Sequence, residues 1–444
     1  MNWGSITSAF RHTADADSVR PELPLAKEPI QAQDALVETG RQDAILIARQ
    51  PIFDAAEKVC AYQLLMRPTG AFPESPPLTA EQSARLIVTM LNTLGVHTVL
   101  GNSLGLINLP GRTLDSDIVN LLPCSSFVLA ISEAYLQVPE NEERCIKLRK
   151  QGYKLAYEYT NSAIALAQLA RVASYVIYDF ARNDLRRIAQ HDPAVKALGL
   201  TRLVRNVNTR ADFEACKSFD FELYQGSFFA KTETLGSKRV DPSRLRVMEI
   251  FNLVMNKADI EVIEDAFKHD VALCYSLLCY INSVGIGMQY KVSSIRNAIQ
   301  LLGYDFLWRW LSLLVYAGID LSAAQHVLLN TAIIRGRLTE LLGQTNLPAK
   351  EANALFVVGN FSLLDALLGI PMAQALQRVH LPEAISKAIL EHEGKYAPYL
   401  ELALAFESSH LDQAELLCKQ LQIDPTSASR AHLAAIEWAN VVAK

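Results

Sequence analysis

Between residues 44 and 230 short apolar runs alternate with amphipathic stretches, and this alternation constrains the fold more than any other feature. The runs fall at 45–48, 59–66, 104–108, 127–131, 154–158, 175–179, 202–205 and 222–225. Their length and content suit strands buried on both faces. Between them, Leu86, Ile87, Met90, Leu91 and Leu94 make one helical face, and Ile146 and Leu148 mark a second before Gly152. Ile164, Ala165, Leu166 and Leu169 make a third, and Phe213 with Cys216 suggests a fourth after Thr209. Strand–helix alternation of this kind predicts a parallel α/β fold, most simply a (β/α)8-like TIM barrel.

Polar residues stand at or near the ends of these runs: Arg67, Asn108, Glu133, Glu158, Asp179, Arg205 and Gln225. In barrel enzymes the carboxyl ends of the strands carry the active site, although strands also end in polar residues simply because loops begin there.

Beyond residue 244 the texture changes to helix after helix, following a polar linker at 231–244 that contains Gly236 and Pro242. Leu245, Met248, Phe251, Val254 and Met255 form one face, and Val262, Ile263, Ala266 and Phe267 another behind Asp259. The stretch 271–284 is almost wholly apolar and predicts a central buried helix ending at Gly285. Trp308 and Trp310 project about 200° apart on a helix, so one of them is expected to face a partner or the barrel. No strand is evident in this half, which predicts an all-α domain.

Composition narrows the functional classes. Half of the 444 residues are hydrophobic and the net charge is −5, so no bulk basic field recommends nucleic acid or an anionic membrane surface. No apolar run reaches the roughly 18 residues of a membrane span, and residues 1–42 lack the apolar core of a signal peptide. Seven scattered cysteines read as reduced core thiols, and a cytoplasmic location is expected. Residues 1–43, rich in Ala, Asp, Glu and Pro, are expected to be a disordered tail, with Trp3, Ile6 and Phe10 as a short apolar stripe within it.

The stretch ARQPIFDAAEKVCAYQLLMR, residues 48–67, resembles the opening of an EAL domain, the bacterial cyclic di-GMP phosphodiesterase family. That family reads Glu-Ala-Leu-Leu-Arg where this chain has Gln63 to Arg67. The resemblance implies two Mg²⁺ or Mn²⁺ ions held by carboxylates and an Asn, which activate water against a phosphodiester. Carried over by position, the signature Glu is Gln63, the Asn is retained as Asn108, and Glu-Ile-Thr-Glu becomes Ala130-Ile131-Ser132-Glu133. Asp-Asp-Phe-Gly becomes Glu158-Tyr159-Thr160-Asn161, and the Lys of Lys-Ile-Asp becomes Ile177 while its Asp survives as Asp179. A further Glu position is Arg205, and Gln225-Gly226 matches the last strand. Losses at Gln63, Ala130, Tyr159 and Arg205, with the cation added at Arg205, remove roughly five negative charges from the metal cage. The expectation is therefore a degenerate barrel, with no catalytic residues, no metal and no cofactor. Arg67 and Gln225 are the residues left that could hold cyclic di-GMP.

The second half resembles an HDOD domain. Asp270-Val271-Ala272-Leu273, Asn282-Ser283, Ser294-Ile295 with Ala298-Ile299, and Leu302-Gly303 follow that family's pattern, with Val271 in place of its Pro. The resemblance implies a regulatory module that docks other signalling proteins, and a homodimer is compatible with it. The expected organisation is a tail at 1–43, a degenerate EAL domain at 44–232 and an HDOD domain at 233–444. Two other readings remain: a receptor that binds cyclic di-GMP without hydrolysis, and an active phosphodiesterase. His269-Asp270 lacks the further His ligands of a metal pair, and His191-Asp192-Pro193 reads as a turn or N-cap. No Walker motif, dinucleotide fingerprint or nucleophile elbow is present.

Overall fold

The structure is a computed structural model. It describes residues 45–69, short stretches between 79 and 101, and residues 103–109, 111–160, 165–182, 185–230, 242–270, 273–278, 294–316, 323–408 and 410–442. The expected tail, most of the linker and the Asn282-Ser283 pair lie outside the described residues, as does much of the 271–284 helix. Among the described residues two compact units emerge: one comprises 45–230 with 404–433, the other 242–403 with 434–442. The boundary is thus not a single cut near 232, because the segment 404–433 groups with the first unit.

The first unit is a closed eight-stranded barrel, β1 to β8 in sequence order: Ile45–Asp54, Val59–Pro68, Leu104–Asn108, Phe127–Ser132, Lys154–Glu158, Tyr175–Asp179, Thr201–Arg205 and Leu223–Gln225. Each expected run is a strand. Around it are α1 (Gly111–Leu114), α2 (Glu133–Leu136), α3 (Pro139–Lys150), α4 (Leu166–Val172), α5 (Leu185–Ala197) and α6 (Arg210–Lys217). The barrel is not wholly parallel. β1 runs antiparallel to both β2 and β8, whereas β2 through β8 are parallel neighbours. The cause is local: the short turn after Asp54 can only join antiparallel strands, since a parallel crossover needs a dozen residues or more. Asp54 Oδ1 accepts from the backbone of Ala56 and Lys58, and Glu57 takes a left-handed φ of 62° to close that turn.

β8 is only three residues long and pairs with β1 over Ile52, Phe53 and Asp54 alone. The amino-terminal half of β1 is left with an edge that β8 does not reach. Ile47 presents both its backbone groups to that edge: its N–H donates to Ser429 Oγ at 3.2 Å, and its carbonyl lies 3.4 Å from His432 Nδ1. The 404–433 segment therefore caps an otherwise open strand edge with side chains.

His191-Asp192-Pro193 is not a turn but lies inside α5, which carries Pro193 in its interior. What holds it there is Asp192, whose carboxylate accepts from the buried Arg202 at 2.7 Å. Arg202 also bonds Glu222 and the carbonyls of Phe219 and Asp220. A buried guanidinium satisfied on all sides ties α5 to the β7–β8 connection.

The second unit is helical. It contains α7 (Pro242–Met255), α8 (Ile260–Lys268), a helical stretch at 273–278, α9 (Ile295–Leu302), α10 (Tyr304–Leu314), α11 (Ala323–Gly343), α12 (Ala349–Phe361), α13 (Leu364–Leu368), α14 (Met372–Gln377) and α15 (Glu383–Leu390). Next come α16 (Ala397–Glu407), α17 (Leu411–Leu421) and α18 (Pro425–Val442); the division between units falls within α16 and α18 and leaves α17 with the barrel. Gly336 and Gly359 let α11 and α12 approach closely, since a Cβ on Gly359 would sit 2.5 Å from the Arg335 carbonyl. Trp308 and Trp310 are both buried, so neither stands exposed for a partner. The reason is that α10 is enclosed on all sides, including Arg309, which forks onto Glu340 at 2.5 and 2.8 Å beneath the Phe356 ring.

Candidate functional site

The barrel interior is built by period-two alternation. Ile52, Leu106, Val128, Ala130, Ala156, Ile177 and Leu203 form its apolar layer, with Ala61 and Leu223 packed against them. Two residues further along the parallel strands, the same parity places Gln63, Asn108, Glu158, Asp179, Arg205 and Gln225 on the inner face at the carboxyl end. Their side chains meet.

Gln225 Nε2 donates to Gln63 Oε1 at 2.5 Å and to Gln50 Oε1 at 2.7 Å. Gln63 Nε2 donates to Asn108 Oδ1 at 3.2 Å, and Asn108 Nδ2 to Glu158 Oε1 at 2.9 Å. The same Glu158 oxygen accepts from Arg205 Nη1 at 2.8 Å, and Arg205 Nε donates to Asp179 Oδ2 at 3.1 Å. Asp179 Oδ1 accepts from Asn206 Nδ2 at 2.8 Å and from the Ala181 backbone at 3.1 Å. One continuous hydrogen-bonded relay crosses the mouth, from Gln50 on β1 to Asn206 beyond β7. Asn206 holds a left-handed φ of 64° next to Gly226, where a Cβ would lie 1.8 Å from the Val207 carbonyl. Only glycine fits at 226, so the match of Gln225-Gly226 has a steric cause.

The remaining expected site residues lie elsewhere. Ala130 and Ile177 belong to the apolar layer below the relay. Glu133 opens α2, is buried, and accepts from Thr160 Oγ1 and, at 3.5 Å, from Gln137. Tyr159 is turned into packing: its ring stacks on His191 at 4.3 Å and meets Tyr178 edge-on at 5.3 Å. Burial pushes the His191 pKa down and the Tyr178 hydroxyl pKa up.

Arg67 stands at the end of β2, outside the relay. Its Nη2 donates to Glu415 Oε2 at 2.7 Å and to the Leu411 carbonyl at 3.0 Å, and its Nη1 pairs with Asp412. Both carboxylates belong to α17, more than 340 residues away in sequence. Burial lowers the Arg67 pKa, and Glu415 draws it partly back. Sequence reasoning missed Gln50, Asp412 and Glu415. Gln50 shows its place only through register, opposite Gln63 on β2.

The donors do not fit a pair of divalent cations. Two carboxylates, Glu158 and Asp179, face the mouth, and the guanidinium of Arg205 lies between them at hydrogen-bonding distance from each. Amides at Gln63 and Asn108 complete the ring without adding charge. Among the described residues no group of three or more His, Cys, Asp or Glu is placed to hold a metal ion. Two dications need an excess of anionic oxygens, which a carboxylate pair already neutralised by arginine does not supply.

Residues 244–319 match the family model of the HDOD domain. The chain carries an HDOD domain. Over nearly its whole length it is similar to the uncharacterized protein YuxH of Bacillus subtilis, 28% identical across 407 residues that cover 89% of this chain and 98% of that one. It is also similar to the cyclic di-GMP phosphodiesterase CdgJ of Vibrio cholerae, 29% identical across 399 residues, 88% of this chain and 91% of that one. Among solved structures, the EAL domain of Mycobacterium smegmatis DcpA is 18% identical with a TM-score of 0.33, covering 41% of this chain and 90% of that one. The PaMucR phosphodiesterase in complex with cyclic di-GMP is 16% identical with a TM-score of 0.34, covering 41% of this chain and 89% of that one. The HDOD match spans α7 through α10, and the barrel precedes it. No helix among the described residues is long and apolar enough to cross a membrane.

Proposed function

We propose that this chain is a signalling protein whose EAL-type barrel does not hydrolyse cyclic di-GMP, and whose HDOD-containing unit acts by docking another protein. The observation that carries the first part is Arg205, whose guanidinium occupies the space between Glu158 and Asp179 that a metal ion would need. An internal cation on the only two carboxylates of the relay removes the charge that would lower the pKa of a bound water. CdgJ bears the name of a phosphodiesterase. Whether such activity extends to a relative depends on the residues at the mouth, and here Gln63, Ala130, Tyr159 and Arg205 replace the ligand positions that the resemblance implies.

A direct test is Mn²⁺ binding followed by electron paramagnetic resonance. The intact chain should leave Mn²⁺ as the free aquo ion at concentrations that saturate an active EAL domain. Tight binding lost on Asp179→Asn would overturn the reading. Pull-down with the full chain, compared with a chain altered on the exposed surface of the HDOD domain, addresses the docking role.

A further inference from the structure

The helical unit buries two arginines on one carboxylate. The side chains of Arg309 on α10 and Arg337 on α11 are 5% and 8% exposed, and both bond Glu340, which is fully buried. Arg309 takes both Glu340 oxygens, at 2.5 and 2.8 Å, and its Nη1 also lies 3.4 Å from Asn353 Oδ1. Arg337 makes a single hydrogen bond among the described residues, from Nη1 at 2.8 Å to the Glu340 Oε2 that Arg309 already holds. Its Nε is shut away from solvent and bonds nothing. A guanidinium carries five donor hydrogens, and this one places a single donor on an acceptor.

Arg202 in the barrel shows what a satisfied buried guanidinium looks like: it reaches two carboxylates and two backbone carbonyls. The Arg309–Arg337–Glu340 cluster has two cations and one anion instead, and a buried charge without a counter-charge is costly. Glu340 does not need Arg337, because Arg309 alone occupies both its oxygens. Aromatic rings do not make up the deficit. The Arg309 guanidinium lies 4.5 Å from the Phe356 centroid and that of Arg337 5.7 Å from the Trp438 centroid, and the two rings meet edge-on at 6.1 Å. Such contacts use the guanidinium faces and leave the in-plane N–H groups for an anion. Asn353 and Trp438 are half-buried, which brings the cluster close to the surface. All these residues belong to one unit.

We propose that the Arg337 guanidinium, between Glu340 and the Trp438 ring, is a binding site for an oxyanion, the carboxylate or phosphate group of a small ligand, which supplies the second anion that the buried arginine pair lacks. The ligand class follows from the donors left over. With Nη1 on Glu340, the Nε–Nη2 edge presents two parallel N–H groups, a fork that matches two oxygens of one carboxylate or phosphate. Arg309 and Glu340 hold the guanidinium in place, and Trp438 flanks the bound group. The site lies in the helical unit and is read by binding of a small anion, so it stands or falls separately from the lack of hydrolysis in the barrel and from docking of another protein.

The test titrates the intact chain with inorganic phosphate and, separately, with succinate, each at constant ionic strength set with sodium chloride, by calorimetry and by tryptophan fluorescence. At least one probe should bind saturably with a Kd of about 1 mM or tighter. At ten times that Kd the unfolding equilibrium constant in urea should fall about elevenfold. Arg337→Lys keeps a charge beside Glu340 but loses the fork, and should bind at least tenfold more weakly. Arg337→Met keeps the apolar stem and should not bind. Because Arg309 still holds Glu340 in that variant and a surplus buried charge is gone, its urea midpoint without added anion should equal or exceed that of the unaltered chain. Binding of phosphate alone assigns the site to phosphate, of succinate alone to carboxylate, and of both to oxyanions in general; each upholds the proposal. Absence of saturable binding by either probe, affinity unchanged in Arg337→Lys, or a lowered midpoint in Arg337→Met would overturn it.

Discussion

Acidification should loosen the barrel through one buried histidine. His432 is buried against β1, beside the Phe406 ring at 5.0 Å, with its Nδ1 3.4 Å from the Ile47 carbonyl. Burial, together with the nearby Arg49 cation, pushes its pKa from 6.5 down to about 4. The folded state thus binds a proton less readily than the unfolded chain, so between about pH 6.5 and 4 the unfolded state holds more protons and stability rises with pH. At ~1.4 kcal/mol per pH unit the linkage amounts to about 2 kcal/mol lost by pH 5 and about 3 kcal/mol by pH 4, relative to neutral pH. His432→Gln keeps a polar group near Ile47 without a titrating charge and should flatten this dependence. The assay is urea unfolding at pH 7.5, 6, 5 and 4, followed by far-UV circular dichroism. Tryptophan fluorescence reports the other unit through Trp308, Trp310 and Trp438, which fall outside the barrel's residue ranges. His191, whose pKa burial also lowers, titrates in both proteins and cancels in the difference. Equal pH slopes for the unaltered chain and His432→Gln would refute the claim that α18 seals the open edge of β1 with a neutral imidazole.

Three further outcomes follow from the barrel. Arg205→Met removes two charge-assisted hydrogen bonds from a partly solvated mouth and leaves Glu158 and Asp179 facing each other; a loss of about 2 kcal/mol is expected in the same urea assay, and no loss would show that the relay is not formed. Arg202→Met strands the buried Asp192 carboxylate and should cost about 3–5 kcal/mol, with partial recovery when Asp192→Asn is added; a cost under about 1 kcal/mol would contradict the burial of that pair. Gly226→Ala would drive a Cβ into the Val207 carbonyl at a φ of 155°, and should lower stability by more than about 2 kcal/mol, whereas a neutral effect would mean that the β8 turn is placed wrongly.

Much of the barrel was legible because strands buried on both faces write their length and content directly into the sequence. All eight runs became strands, and the polar residues at 63, 108, 158, 179, 205 and 225 converge because they share parity with the apolar layer. The direction of β1 was equally present in the short turn at Asp54, but strand–helix alternation elsewhere favours a uniformly parallel reading, and a hairpin needs only five residues to break it. Other features have no local trace. Nothing near Arg67 announces Asp412 and Glu415, because their meeting depends on how the chain returns to the barrel after residue 404. Pro193 inside α5 and the burial of both Trp308 and Trp310 likewise arise from tertiary partners, Arg202 in one case and all-round helix packing in the other. Tyr159 shows the same limit: its place in a ligand motif marks a loss, but only the stack on His191 shows what the side chain does instead.

The measurement that bears most directly on the central claim is hydrolysis of cyclic di-GMP by the intact chain, with Mg²⁺ and then Mn²⁺, beside CdgJ assayed under the same conditions. With Arg205 between Glu158 and Asp179, the linear dinucleotide product should not rise above the protein-free baseline. Turnover that saturates with added metal and disappears on Asp179→Asn would contradict the account.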